Sequence, residues 1–300
     1  MENTAFSGSM TALITPFQED RSLDRTAFER LVAWQIEQGA QALVPCGTTG
    51  ETPTLSDEEC FDLISLCVRT AKGRVPVIAG CGSNATQHAI FLTKQAVKAG
   101  ADAVLQVVPY YNKPSQEGLF LHFKAIHDEC PVPLFLYNIP GRSVVALAPD
   151  TIARLAALPR IVGIKDATGN LAAPLKTKAM CGADFIQLSG NDDTVLAFLA
   201  QGGHGCISVV SNIAPALCAK MHAAWQNGDI ATAQRINEQL APLAEALFVE
   251  TSPAPVKYAA AKLGLCKNIL RLPMAQASKS TQEKFDGVWQ QLQLIINGLS

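Results

Sequence analysis

Neither sign of charge is in excess in this chain. Its 300 residues carry 24 Lys and Arg against 26 Asp and Glu, a net charge of −2. With no basic surplus to neutralise phosphates, a general nucleic-acid or membrane-surface binder is excluded. Long apolar runs are also missing, since nothing approaches the about 18 uninterrupted apolar residues of a membrane span. Residues 1–9 hold no basic stretch followed by an apolar run. That predicts a chain without a secretory leader, working in the cytoplasm.

Clustered metal ligands are absent as well. Nine cysteines stand at 46, 60, 67, 81, 130, 181, 206, 218 and 266, an odd number at irregular spacing with no Cys-x-x-Cys pair. The five histidines form no His-x-His or His-Glu-x-x-His pattern. Neither a disulfide framework nor a resident metal is expected, and no cofactor. The thiols read as small buried hydrophobes in a reducing compartment, and His122 and His127 as ordinary helix residues. No Gly-x-Gly-x-x-Gly follows an early strand, so the doubly wound nucleotide-binding fold lacks its fingerprint.

What the sequence does have is apolar content, 48%, arranged with a regular beat. That much hydrophobicity with so little net charge excludes a disordered chain. Near-continuous apolar runs fall at 11–14, 42–45, 75–79, 103–108, 133–137, 161–165, 185–188 and 205–209, as expected of parallel strands buried on both faces. Helical periodicity lies between them. In 25–38, Phe28, Leu31, Val32, Gln35 and Ile36 share a stripe. Ser56 with Glu59 makes a capping box, and 86–98 ends before Gly100. Eight strands alternating with helices predict an α/β fold, a (β/α)8 TIM barrel. An eighth helix is expected over 213–227, broken at Gly228-Asp229. Helices alone follow, at 230–249, 255–263 and 280–297. The chain therefore divides into a barrel, 1–228, and a C-terminal helical domain, 229–300. Ile236, Leu240, Leu243 and Leu247 form an apolar face that fits either a subunit contact or the chain's own barrel.

Catalytic groups of such barrels sit where strands end. Strand 2 runs into Gly47-Thr48-Thr49-Gly50-Glu51, a turn whose N–H groups and hydroxyls can converge on a carboxylate, though an ordinary Gly-rich turn reads the same way. Strands 4 and 5 end in Tyr110-Tyr111-Asn112 and Tyr137-Asn138-Ile139-Pro140-Gly141-Arg142. Strand 6 ends in Lys165, a cation in an apolar strand. Burial lowers a lysine pKa, and a neutral amine attacks carbonyls to form an imine; a lysine snorkelling to solvent is the alternative. Thr48, Tyr111 and Tyr137 offer hydroxyls for proton transfer.

These segments, with Gly163-Ile164-Lys165-Asp166-Ala167-Thr168-Gly169-Asn170, resemble the dihydrodipicolinate synthase family over essentially the whole chain. The resemblance extends to Thr15-Pro16-Phe17, to Pro109-Tyr110-Tyr111-Asn112 and to Pro255-Val256-Lys257. It implies a metal-free condensation of pyruvate with L-aspartate 4-semialdehyde, the first committed step of lysine biosynthesis through diaminopimelate. Lys165 would carry the imine. Tyr137, Thr48 and Tyr111 would relay protons, and Thr49 would help hold the pyruvate carboxylate. Arg142 would bind the semialdehyde carboxylate, and Gly190 and Ile207 would line the pocket. Tyr111 would reach into a partner subunit, which requires a tight dimer, with a homotetramer expected. Other pyruvate-dependent aldolases, N-acetylneuraminate lyase and keto-deoxy-sugar acid aldolases, share the turn and the lysine. A non-catalytic protein of the same fold is a further alternative. A phosphosugar barrel is disfavoured, because Gly202-Gly203-His204-Gly205 precedes its strand.

One departure stands out. In lysine-inhibited members of the family a second site uses a Ser-Ala pair, two histidines, an asparagine, a glutamate and a tyrosine. The matching positions here are Thr52, Pro53, Asp57, Cys60, Asn84, His88 and Tyr110. The glutamate that would pair with the lysine ammonium is a histidine, so weak or absent feedback inhibition is expected.

Overall fold

The computed structural model describes residues 6–296, with side chains as far as Leu294. Eight strands, β1 (Gly8–Ala12), β2 (Ala42–Val44), β3 (Ile78–Gly80), β4 (Ala103–Val107), β5 (Leu134–Asn138), β6 (Ile161–Asp166), β7 (Ile186–Ser189) and β8 (Gly205–Ser208), pair in parallel in the order β2-β1-β8-β7-β6-β5-β4-β3. The two ends of that order meet through a bridge between Leu43 and Val77, and Gly80 N–H donates to the Pro45 carbonyl at 3.0 Å. The sheet is thereby a nearly closed barrel, as the alternation of the sequence predicts.

Helices α1 (Arg25–Glu37), α2 (Asp57–Ala71), α3 (Thr86–Lys98), α4 (Gln116–Glu129), α5 (Pro140–Ser143), α6 (Pro149–Ala156), α7 (Ala173–Cys181), α8 (Val195–Ala200) and α9 (Pro215–Gln226) fill the connections. Three more, α10 (Ile230–Leu247), α11 (Ala254–Lys262) and α12 (Lys279–Ile296), follow the last strand. Helix α2 starts at the Ser56/Glu59 capping box, both of whose hydrogen bonds are made. The barrel interior is packed by Met10, Val44, Ile78, Leu105, Phe135, Ile186, Leu188 and Ile207. Phe6 joins it from before β1, its ring edge-on to Phe135 at 5.3 Å. An outer core lies between the strands and the helices.

The strand boundaries differ from the periodicity by one to three residues, for identifiable reasons. Leu13 and Ile14 lie beyond β1 yet are buried; Leu13 N–H still donates to the Val44 carbonyl at 3.0 Å, while Ile14 N–H turns to Asn212 Oδ1. Strand β3 begins later than expected because Pro76 has no N–H to give. The helix expected from 213 begins at Pro215, since a residue before proline avoids helical geometry. Asn297, the expected end of the last helix, lies outside the described residues. The face of Ile236, Leu240, Leu243 and Leu247 is buried in the chain's own core, the second of the two readings open to it.

Candidate active site

Tyr137 and Lys165 are register partners on β5 and β6. Side chains at paired positions of neighbouring strands point to the same face, here the barrel interior at its C-terminal end. Lys165 is only 6% exposed, so it does not snorkel to solvent. Its Nζ stands 4.4 Å from the centroid of the Tyr137 ring, within cation–π range. Among the described residues, no hydrogen bond or ion pair engages that ammonium.

A cavity of about 390 Å³ opens at this end of the barrel, lined among others by Thr48, Tyr137 and Arg142. Thr48 and Thr49 occupy the 3-10 turn Thr48–Gly50 directly after β2, Thr48 half-buried and Thr49 buried. Three contacts fix this turn. Thr15 Oγ1 donates to the Gly50 carbonyl at 2.7 Å. Thr52 Oγ1 donates to the Gly47 carbonyl at 2.8 Å. Glu51, in the left-handed region at φ 57°, directs its carboxylate inward to Lys257 of α11.

The Glu51–Lys257 pair is buried at both ends, with Lys257 at 0% exposure. Lys257 Nζ donates to Glu51 Oε1 at 2.6 Å and to the Ile269 carbonyl at 2.5 Å. It also lies 4.0 Å from the centroid of the Phe17 ring. Arg271 N–H donates to the other carboxylate oxygen, Oε2, at 3.0 Å. Burial pushes the Lys257 ammonium down, and the Glu51 carboxylate pulls it back. The Arg271 guanidinium forks onto Glu59 with two bonds of 2.6 Å and faces Phe17 at 4.5 Å. That fork holds the Glu59 carboxyl below its ordinary range.

The ends of β7 and β8 lie beyond β6, with Gly190 beside the lysine stem. A Cβ built on Gly190 would stand 3.1 Å from Lys165 Cε and 2.7 Å from Ala167 Cβ, so no other residue fits there without displacing the lysine stem. Ile207 is fully buried in the barrel interior. Asp192, just past β7, accepts from the Ser208 hydroxyl and from Val209 N–H at 2.8 Å. Burial raises its pKa, while these donors and the charge of Lys165 hold the rise back.

Arg142 is exposed at the rim and donates from Nη2 to the Ser252 carbonyl at 3.0 Å. Tyr111 is not brought to Lys165. It is 87% exposed at φ 74° and does not line the cavity. Among the seven positions read as a diverged second site, Thr52, Pro53, Asp57, Cys60, His88 and Tyr110 line the same cavity. Asn84 instead donates from Nδ2 to the Tyr110 carbonyl at 3.2 Å. The Asp57 carboxylate is engaged by His88 Nε2 at 3.0 Å, and His88 Nδ1 shares a hydrogen bond with Ser83 Oγ at 3.2 Å.

The sequence reading did not single out Glu51, Lys257, Arg271 or Asp192 as functional. Lys257 had a usable signal: it is a charge set between Pro255-Val256 and Ala259-Ala260, in a helix whose other charge, Lys262, stands at its end. Among the described residues, no cluster of three or more His, Cys, Asp or Glu side chains could hold a metal, and no helix is long and apolar enough to cross a membrane. All nine thiols are free, and seven are buried.

The chain is similar to known proteins in sequence and in fold. The model of the dihydrodipicolinate synthetase family matches residues 5–292. The 4-hydroxy-tetrahydrodipicolinate synthase of Rhodospirillum centenum is 58% identical over 278 residues, 93% of this chain and 95% of its own length. The solved structure of the 4-hydroxy-tetrahydrodipicolinate synthase of Methylacidiphilum fumariolicum SolV superposes with a TM-score of 0.96 at 41% identity, covering 98% of both chains. That of a chloride-inhibited dihydrodipicolinate synthase of Acinetobacter baumannii in complex with pyruvate gives 0.94 at 42% identity, over 96% of this chain and 99% of that one.

Proposed function

The chain belongs to the dihydrodipicolinate synthetase family, and from that premise we infer that it catalyses the reaction of 4-hydroxy-tetrahydrodipicolinate synthase. It is a lyase that condenses pyruvate with L-aspartate 4-semialdehyde, a step of lysine biosynthesis through diaminopimelate. The observation that carries the site assignment is Lys165: buried, unpaired, and opposite a phenol at the end of a barrel strand.

The unprotonated Lys165 amine attacks C2 of pyruvate, and water leaves as the imine forms. The iminium withdraws electrons from C3, which loses a proton. The resulting enamine carbon adds to the aldehyde carbon of the semialdehyde. The semialdehyde's own amine then attacks the imine carbon, displaces Lys165 and closes the ring, so one water is lost overall.

Each side chain has a part in this reading. Thr48 and Thr49 receive the pyruvate carboxylate on hydroxyl and N–H groups. Tyr137, with Thr48 and Tyr111, passes protons between the imine and solvent. Arg142 takes the semialdehyde carboxylate in its planar fork. Gly190 and Ile207 shape the pocket around the lysine stem. The exposure of Tyr111 supports a relay completed from a second copy of the chain, hence a tight dimer and, by doubling, a homotetramer. The absence of any basic surplus supports a partner set without nucleic acid or membrane, and the nine free thiols support a cytoplasmic enzyme. The break at Gly228-Asp229 supports dividing the chain into a barrel, 1–228, and a helical domain, 229–300.

Borohydride reduction in the presence of pyruvate tests the assignment. The unaltered chain is expected to gain the mass of one reduced pyruvate on Lys165, and Lys165→Ala none. An adduct surviving in Lys165→Ala would overturn it. Sedimentation velocity tests the assembly, a monomer at working concentration being the contrary result.

A further inference from the structure

The turn that carries Thr48 and Thr49 is held on one side by its own barrel, through Thr15, and on the other by a side chain some 200 positions later, Lys257. The latter contact is expensive to make. A carboxylate and an ammonium are both withdrawn from water, where an apolar pair of the same size would be as stable or more so. Glu51 also occupies a left-handed backbone conformation, uncommon for a residue with a long side chain. That conformation makes it the last residue of the threonine turn while its carboxylate points away from the cavity. Both carboxylate oxygens are committed, one to the Lys257 ammonium and one to the Arg271 N–H. Lys257 in turn is fixed by the Ile269 carbonyl and the Phe17 ring. None of these groups lines the cavity.

We propose that Glu51 and Lys257 are positioning residues for pyruvate: their buried pair locks the turn so that the Thr48 and Thr49 donors are aimed at the substrate carboxylate before it arrives. This rests on the reading of Lys165 and the two threonines given above. It extends the site into the helical region beyond the barrel, which contributes to pyruvate affinity without touching pyruvate. A carboxylate bound by a preformed set of donors loses affinity when those donors must be ordered on binding. The lock therefore acts on pyruvate and not on the semialdehyde, whose carboxylate is assigned to Arg142 on the segment after β5.

The test is the pyruvate concentration giving half-maximal borohydride trapping, with KM for each substrate and the melting temperature measured alongside. Glu51→Gln keeps the shape and removes the charge. Its half-saturating pyruvate is expected to rise about 10-fold or more, the scale of one weakened charge-assisted hydrogen bond. The semialdehyde KM should stay within about twofold, and trapping should still be complete at saturating pyruvate. A half-saturation unchanged within about twofold, whatever happens to the melting temperature, overturns the proposal and leaves Lys165 as the imine residue. No trapping in the unaltered chain overturns the reading of Lys165 itself. Should Glu51→Gln not fold, the paired replacement Glu51→Leu with Lys257→Met removes both buried charges and takes the same measurement with the same expectation.

Discussion

Two buried lysines stand in this molecule, and they are opposites. Lys165 ends a strand at the barrel mouth, 6% exposed, with an aromatic face beside it and, among the described residues, no hydrogen-bond acceptor. Lys257 lies in the seam between α11 and the turn after β2, 0% exposed, with a carboxylate, a carbonyl and an aromatic ring arranged around its ammonium. Burial alone therefore does not make a lysine a nucleophile. A fully satisfied ammonium is a structural cation, because any reaction at nitrogen must first break its hydrogen bonds. A desolvated amine with nothing bound to it is available to a carbonyl.

The contrast breaks most sharply by deleting the first lysine. Lys165→Ala should lower kcat by about 10⁴-fold or more while the melting temperature holds or rises, since a buried amine without a partner is removed. Steady-state rates and calorimetry on one preparation check both halves. Lys257→Met should do the reverse. Leaving the Glu51 carboxylate buried and alone costs about 3–5 kcal/mol, seen as a fall in denaturation midpoint, and the added Glu51→Leu should recover most of it.

Tyr137→Phe sharpens the first side. It keeps the ring that faces Lys165 and removes the proton carrier, so kcat should fall about 10²-fold with little change in stability.

An effect spread over a pH range comes from two histidines outside both regions. Burial pushes His122 and His222 down to about 4. The unfolded chain, with imidazoles near about 6.5, binds more protons between these values. Stability is therefore whole above about pH 6.5 and is lost as pH falls toward 4, by up to about 3 kcal/mol per ring. Urea titrations at pH 7.5, 6 and 5 should show the decline, and His222→Leu should flatten it.

The smallest expected effect is a near absence. Millimolar L-lysine should leave the rate within about twofold, because the carboxylate at Asp57 is engaged by His88 and the family's glutamate position is that same histidine. Strong inhibition would show that Asp57 is released to serve an ammonium.

Much of the first region was legible in the sequence. Strand ends in a barrel converge on one mouth, so a lysine, a phenol and a threonine turn at the ends of three strands are brought together by topology alone. Tyr137 and Lys165 needed only their adjacent strands. The second region was not legible, because its pairing joins Glu51 to Lys257 across residues whose spacing follows no helical or strand period. Only packing of α11 against the barrel brings them together. Boundaries slipped for a related reason. Leu13 and Ile14 are apolar because they are buried, and burial continues past the end of the strand. The face of Ile236, Leu240, Leu243 and Leu247 illustrates the same limit, for periodicity tells that a face is covered and not by what.

The Phe17 ring, with Lys257 on it at 4.0 Å and Arg271 at 4.5 Å, has a consequence for the medium in which the enzyme works. Two cations are gathered around one ring, and two carboxylates, Glu51 and Glu59, answer them. The seam is neutral as a unit, and its innermost pair is out of reach of dissolved ions. Surface pairs such as Lys124–Asp128 weaken as salt rises, since exposed charges are screened over about 8 Å at physiological ionic strength. The Glu51–Lys257 pair is shielded from that screening, whereas the partly exposed Arg271–Glu59 pair is not wholly so. Behind the threonine turn the chain thus carries a fixed ionic pair, and on the reading proposed above the donors for a small carboxylate are held by that pair and not by the ionic strength of the medium.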